Sequence, residues 1–283
     1  MAKKLIIQAC LCGAGTTKAQ NPSVPVTAAE IAKDSVECVK AGASILHIHC
    51  RDENEANTME PEIFKVWVGA IREALAKENL DAILNLTTSG GKFPFEMRMG
   101  SLKPLMPEMC SYDPGTLNWA NSYVFLNPPD FLEQLGLYIQ ELGIKPEIEV
   151  FDAGMVGNVN YYVKKGILKE PLHIQYVLGV TGGMPGNMEA LQYLLSKKPE
   201  NATWSITGIG AAHKPCMLLG LANECDGLRV GLEDNIFYEK GELATNVQLV
   251  ERAVRIGNVY GREIASAAEA REILGIRKGN SNE

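Results

Sequence analysis

The sequence predicts a (β/α)8 TIM barrel built as one domain over residues 1–283, and three features point to it. Short β-branched or apolar runs alternate with longer amphipathic ones. Eight such short runs fall within about 250 residues, the number and span of this barrel. After the first run, CGAGTTK lacks the G-x-G-x-x-G that a doubly wound dinucleotide-binding sheet would carry there.

The elements follow in order. KLIIQAC (4–10) is the first predicted strand, because two lysines before so short an apolar run do not make a signal peptide. A helix opens at Thr27, where Thr-Ala-Ala-Glu is a capping box: the threonine hydroxyl and Glu30 satisfy each other's free backbone amides. Ile31, Ser35, Cys38 and Val39 recur on its inner face, and Gly42 ends it. SILHIHC (44–50) is the second strand, 60–78 the second helix and AILNLT (82–87) the third strand. Gly100 and Pro104 break the helix expected near 96–104, ahead of EMCSY (108–112), the least regular of the strands. Helix 130–142, strand EIEVFD (147–152), helix 157–165, strand LHIQYVL (172–178) and helix 187–197 come next. Strand TWSIT (203–207), helix 214–224, strand DGLRVG (226–231) and helix 244–257 complete the alternation.

Composition bounds the function. An apolar fraction of 46% and a charged fraction of 22% are ordinary globular values. With 27 basic residues against 34 acidic ones and no basic block, a nucleic-acid surface is not expected. No apolar run approaches the length of a membrane span. Seven scattered cysteines, an odd number, argue against a secreted disulfide framework and for a reducing cytoplasm. Cys10 and Cys12 have no second pair at metal-site spacing and are expected to be small buried or loop residues.

The chemistry gathers at predicted strand ends. Two of only four histidines, His47 and His49, stand in HIHCRD. Residues i and i+2 of a strand share a face, and these lie near the strand's C-terminal end, where barrel enzymes keep their active sites. Two neutral imidazoles side by side suit zinc; hydrogen bonding inside the barrel is the alternative. The eighth strand lies two places from the second around a barrel. DGLRVGLEDN (226–235) puts Arg229 on it and the adjacent acids Glu233 and Asp234 just past its end. Two histidines, one carboxylate and an open fourth position make a catalytic zinc site, whereas acids after a strand are otherwise helix caps or solvated loop residues. The turns NLTTSGG (85–91), YDPGTLN (112–118) and LGVTGGMPG (178–186) offer hydroxyls and unhindered glycine amides at the same end, suited to a carboxylate or phosphate. His213, in GIGAAHKP, is expected to face the site or cap the next helix, and His173, at the opposite end, to be structural.

HIHCRD, TSGG, PGTLN, HIQYVLGVTGGMPG, GIG followed by His213, and RVGLEDNIFYEKGELATNVQLV run through nearly the whole chain. Together they resemble the β-keto acid cleavage enzymes, a family of zinc-dependent barrels. The resemblance implies zinc held by His47, His49 and Glu233, and a homotetramer. It implies a β-keto acid and acetyl-CoA as substrates, with acetoacetate and a new acyl-CoA as products. It also implies substrate-carboxylate contacts at Thr88, Gly91, Thr116 and Asn118, with Asp234 as the catalytic acid and Arg229 as its arginine. A β-keto acid can grip zinc through its ketone and one carboxylate oxygen, which acidifies the carbon between them. A carboxylate beside an arginine, normally a weak base, then suffices to take the proton.

One departure bears on specificity. Members of the resembled family that act on an amino-substituted keto acid carry Gly-Ala-Glu-Thr-Thr after the first strand, and the glutamate meets the ammonium group. Here GAGTTK places Gly15 there, with Lys18 close behind. An ammonium buried without a partner is costly, and Gly15 leaves room, so the expected tail is neutral or apolar. A dicarboxylic keto acid meeting Lys18 is the second expectation. The rival functions are a zinc hydrolase that activates water and a catalytically silent metabolite-binding barrel. Such hydrolases commonly use more histidine ligands than this chain offers, and they need no acetyl-CoA.

Overall fold

Eight parallel strands close into a ring in the computed structural model, which describes residues 3–276. They are β1 (Ile6–Cys10), β2 (Ile45–Ile48), β3 (Ile83–Leu86), β4 (Met109–Tyr112), β5 (Lys145–Val150), β6 (His173–Leu178), β7 (Thr203–Gly208) and β8 (Gly227–Val230). Each strand neighbours the next in sequence, and β1 pairs with both β2 and β8. The expected TIM barrel is therefore the fold. The outermost ends of the single domain expected over 1–283 lie outside the described residues.

The helices are α1 (Ala28–Lys40), α2 (Pro61–Lys77), α3 (Phe95–Gly100), α4 (Pro129–Leu142), α5 (Ala153–Lys164), α6 (Met188–Lys197), α7 (His213–Ala222), α8 (Asn246–Val259) and α9 (Ala267–Leu274). The capping box at Thr27 forms: the Glu30 amide donates to the threonine hydroxyl at 3.2 Å, and the Thr27 amide donates to Glu30 Oε2 at 3.1 Å. Alternate strand residues such as Ile148, Val150, Ile174, Tyr176 and Ile206 join the main apolar core with the helices. Each fully buried aliphatic side chain contributes about 1.5–3 kcal/mol. The intervening residues are polar and bond to one another across strands, as Asn85 Nδ2 does in donating to Glu147 Oε2 at 2.6 Å.

Departures from expectation have local causes. The helix expected from 157 starts at Ala153, because Asp152 caps it by accepting from the amides of Gly154 (2.7 Å) and Met155 (3.2 Å). The segment near 96–104 divides at Ser101 into α3 and one turn, Leu102–Leu105. Helix α9 was not expected; Ala265, Ala270 and Leu274 pack on Ile6, Ile45, Ile83 and Met109 in a second apolar cluster. Three short hairpins follow β2, β4 and β8: Cys50–Arg51 with Asn57–Thr58, Leu117–Trp119 with Tyr123–Phe125, and Phe237–Glu239 with Glu242–Leu243. The seven cysteines are free and buried, and no helix among the described residues is long and apolar enough to cross a membrane.

His173 is held between Thr203 Oγ1 (2.9 Å from Nδ1) and Ser205 Oγ (3.1 Å from Nε2). Burial, aided by Lys145, lowers its pKa from 6.5 to about 3. Its stabilising effect is therefore complete above pH 6.5 and is lost progressively as pH falls towards 3. Between pH 6 and 4, His173→Gln is expected to lose about 1.4 kcal/mol less stability per pH unit than the parent. Urea unfolding midpoints across that range check it.

Candidate active site

His47 sits on β2, opposite Cys10 and Asn85 in the ladder, and His49 follows just past the strand end. The two rings meet edge to face, with centroids 5.1 Å apart. Their Nε2 atoms lie 3.7 Å (His47) and 3.5 Å (His49) from Glu233 Oε1. Two glycines bring Glu233 there. Gly231 has φ +142°, and a Cβ on it would stand 2.1 Å from the Cys10 carbonyl oxygen; one on Gly13 would stand 2.5 Å from Glu233 Cγ. The exits of β1 and β8 therefore cross at backbone distance, and the Glu233 amide donates to Cys10 O at 3.2 Å.

Arg229, on β8, grips Asp234 with a two-pronged contact: Nε to Oδ2 at 2.9 Å and Nη2 to Oδ1 at 3.1 Å. Nη2 also donates to Glu233 Oε1 at 2.6 Å, and Nη1 lies 3.1 Å from Glu149 Oε1 and 3.8 Å from Glu147 Oε2. The Thr207 hydroxyl donates to Asp234 Oδ2 at 3.1 Å. Four buried or nearly buried carboxylates thus surround one guanidinium. Burial pushes Glu147 up to about 6 and raises Glu149 and Asp234 against the pull of Arg229. Glu233 is held well below the carboxylate range: burial opposes this, but the charge of Arg229 pulls it down. Burial lowers His47 to about 3, which keeps its imidazole in the neutral, ligating form.

These residues fit a divalent metal. The ligand atoms of His47, His49 and Glu233 lie within 4.8 Å of one another, and Glu233 Oε2 has no protein partner. The surplus of carboxylates over cations is what a dication would offset. His47, Glu147 and Glu149 are equally close together, but that set offers one imidazole and two carboxylates. Two imidazoles with one carboxylate make the better zinc set.

Above this floor opens a cavity of about 720 Å³. His49, Asp113, Glu149, Arg229, Glu233 and Asp234 line its base, and Trp119, Tyr123, Phe125 and Phe151 form an aromatic wall. Trp119 packs edge-on against Phe125 (6.0 Å) and Phe151 (5.5 Å). Gly15 and Gly91 line the cavity, and a Cβ added at Gly15 meets nothing within 4 Å. Three expected substrate contacts lie elsewhere. Thr88 is buried and its hydroxyl donates to Ser111 O at 2.8 Å; Thr116 and Asn118 are exposed around the hairpin that follows β4. Ser89, Gly90 and Asp113 border the cavity on that side, with Ser89 Oγ donating to Asp113 Oδ2 at 2.6 Å. Lys18 faces away: its Nζ is 2.9 Å from Glu30 Oε1 and 3.3 Å from Pro22 O. His213 begins α7, buried and outside the cavity lining. Sequence reasoning passed over Glu147 and Glu149, although EIEV, with acids alternating in a strand that must be buried, carried the signal.

Fold and site together define a TIM barrel with a candidate metal centre beneath an aromatic cavity, and the relatives supply its class. The profile described as beta-keto acid cleavage enzyme matches residues 4–276. The chain is 39% identical over 280 residues to the 3-keto-5-aminohexanoate cleavage enzyme of Fusobacterium nucleatum subsp. nucleatum, covering 98% of this chain and 100% of that protein. It is 32% identical over 282 residues to the 3-oxoadipate:acetyl-CoA acetyltransferase of Cupriavidus necator, covering 98% and 96%. In fold it is similar to ObcA in its binary complex with oxaloacetate, with a TM-score of 0.82 at 21% identity, covering 92% of this chain and 69% of that one. The chain belongs to the β-keto acid cleavage enzyme family.

Proposed function

We propose that this enzyme converts a β-keto acid with a neutral or apolar tail and acetyl-CoA into acetoacetate and the acyl-CoA of that tail, using zinc held by His47, His49 and Glu233. The observation that carries the reading is the convergence of two imidazoles, Glu233 and the Arg229–Asp234 pair on the floor of an aromatic cavity. Acetyl-CoA stands in the names of relatives from Rhizobium meliloti and Cupriavidus necator, which supports it as co-substrate. The seven free, buried cysteines support a cytoplasmic location, and the family resemblance a homotetramer.

When bound, zinc would supply Lewis-acid polarisation of the keto oxygen. Asp234 is the base. Its Oδ2 already accepts from Arg229 and Thr207, whereas Oδ1 accepts only from Arg229 and keeps a lone pair for the proton at C2. Burial raises the proton affinity of the carboxyl, and Arg229 fixes its plane. With the proton on Asp234, C2 attacks the acetyl carbonyl and CoA leaves as thiolate. The thiolate adds to the keto carbon, the C2–C3 bond breaks, and Asp234 returns its proton to C2 of the departing acetoacetate. Trp119, Phe125 and Phe151 keep water from the wall along which the tail lies. Gly15 offers no carboxylate to an ammonium group, and an anionic tail loses Lys18 to Glu30; Lys92, a cation lining the cavity, lies over the Tyr123 ring at 5.0 Å.

The test incubates zinc-loaded protein with acetyl-CoA and β-keto acids bearing neutral, anionic and cationic tails, then identifies CoA esters by mass spectrometry. A new acyl-CoA appearing with acetoacetate, fastest with neutral tails, is expected. Consumption of the keto acid without acetyl-CoA would replace this reading with a hydrolase; no reaction at all would replace it with a silent binding barrel. In the same assay Gly15→Glu is expected to shift kcat/KM towards cationic over neutral tails by about tenfold, the value of one exposed-to-buried charge contact of ~1.4 kcal/mol.

A further inference from the structure

A CoA ester carries its phosphates at the far end of a long arm, so they lie on the cavity rim when the thioester reaches Asp234. On most of that rim the cations are engaged elsewhere, and Lys92 lies over the Tyr123 ring on the side of the β4 hairpin. Arg51 is turned inward onto the carbonyls of Gly13 (2.6 Å), Thr16 (2.8 Å) and Ala14 (2.9 Å), and Lys18 is paired with Glu30. The turn at 179–187 contains no basic residue.

The sector after β7 and β8 differs. Lys214 lies in the first turn of α7, and Arg252 and Arg255 lie three apart on α8, beneath the hairpin Phe237–Leu243. Lys214 Nζ is 2.5 Å from Glu239 Oε2, and Arg252 Nη2 is 3.5 Å from Glu239 Oε1. The Arg252 guanidinium also stacks 3.8 Å from the Tyr238 ring centre, while Arg255 Nη2 donates to the Tyr238 hydroxyl at 3.3 Å. One carboxylate, Glu239, its side chain 51% exposed, therefore stands between two cations with a third beside them. Beneath lie polar atoms with no protein partner among the described residues: Arg252 Nη1 and both ring nitrogens of His213, in residues only 3% and 2% exposed. Buried polar atoms are nearly always partnered, so these mark unused donor capacity beside the cations.

Barrel enzymes often bind phosphate at the loops after their seventh and eighth strands, next to a short helix. Here the 3-10 turn Gly210–Ala212 leads from β7 into α7 at that place. We infer that Lys214, Arg252 and Arg255, with His213 behind them, bind the phosphate groups of the CoA co-substrate, and that Glu239 holds the cations together until a phosphate displaces it. The inference rests on the proposed acetyl-CoA reaction. Arginine and lysine supply the fork and the point charge that phosphate oxygens accept from.

The test compares KM for acetyl-CoA with KM for acetyl-pantetheine, which lacks the phosphorylated nucleotide, in the zinc-loaded enzyme. Lys214→Ala and Arg255→Ala are each expected to raise KM for acetyl-CoA about fivefold and to leave KM for acetyl-pantetheine at the parent value. Glu239→Gln is expected to lower KM for acetyl-CoA, an effect that loss of a merely structural ion pair would not produce. Equal changes with both donors, or none with acetyl-CoA, overturn the inference. Calorimetric titration with CoA alone reads the same contacts without turnover. A protein that cleaves no β-keto acid but binds CoA through Lys214 and Arg255 keeps this site and loses the proposed reaction. Titration with dephospho-CoA then tells whether the 3′-phosphate or the diphosphate occupies the site.

Discussion

Asp234→Asn is expected to lower kcat by about 10³ while the protein still binds one zinc ion per chain. Asparagine matches the size of aspartate and can still accept from Arg229 Nε and Thr207 through its carbonyl oxygen, losing only the Arg229 Nη2 bond, where its amide nitrogen meets another donor. What disappears is the lone pair that takes the proton from C2. Zinc content by elemental analysis and kcat with the preferred keto acid must be measured together. Loss of turnover with loss of metal would show only a damaged site. Near-normal turnover with metal bound would remove the role from Asp234 and pass it to Glu149, another carboxylate lining the base of the cavity.

Arg229→Met is expected to cost about 3–5 kcal/mol of folding stability at pH 7, measured by urea unfolding of the metal-free protein. Methionine fills much of the arginine's volume, so the loss reports charge more than packing. In the parent, one guanidinium faces Glu147, Glu149, Glu233 and Asp234 at 2.6–3.8 Å; without it the carboxylates repel one another in a buried space. The sign of the pH effect follows. Glu147 already titrates near 6 in the fold against 4.5 as its ordinary value, and it rises further when the opposing cation goes. A carboxyl raised in the fold stabilises below its unfolded pKa, and that contribution is lost as pH rises through the folded value. The deficit of the variant should therefore shrink as pH falls from 7 towards 4.5. A deficit constant over that range would assign the loss to packing. Arg229→Lys, which restores the charge without the fork, should fall between variant and parent.

What could be read from the sequence was what strand geometry makes periodic. His47 and His49 face one way because strand side chains alternate, and a ring of eight puts β8 two places from β2, so RVGLEDN had to arrive beside them. The thirteen-residue helix α1 was legible from Thr27 and Glu30 because its cap is local. What escaped depends on contacts far apart in the chain. Trp119, Tyr123, Phe125 and Phe151 become a wall only when a hairpin after β4 folds over the end of β5, and the turn residues in PGTLN do not announce a hairpin. The same fold-back leaves Thr116 and Asn118 at the surface, with Thr116 Oγ1 accepting from the Asn127 amide at 2.9 Å. Lys18 had two acceptors within reach, Glu30 and the Pro22 carbonyl, and position alone could not say that they would take it from the cavity.

β1 runs between β2 and β8, with Ile6 opposite Gly227 on one side and Cys10 opposite His47 on the other. This is the joint at which the first strand of the chain meets the last strand of the ring, a long-range closure of the kind that is slow to form during folding. The candidate ligands stand on, or just past the ends of, the two strands flanking it. An ion engaging all three would therefore act as a clasp on the barrel as well as a reagent. Chelation would then loosen the ring where its ends are joined, making resistance to unfolding and competence for chemistry rise and fall together.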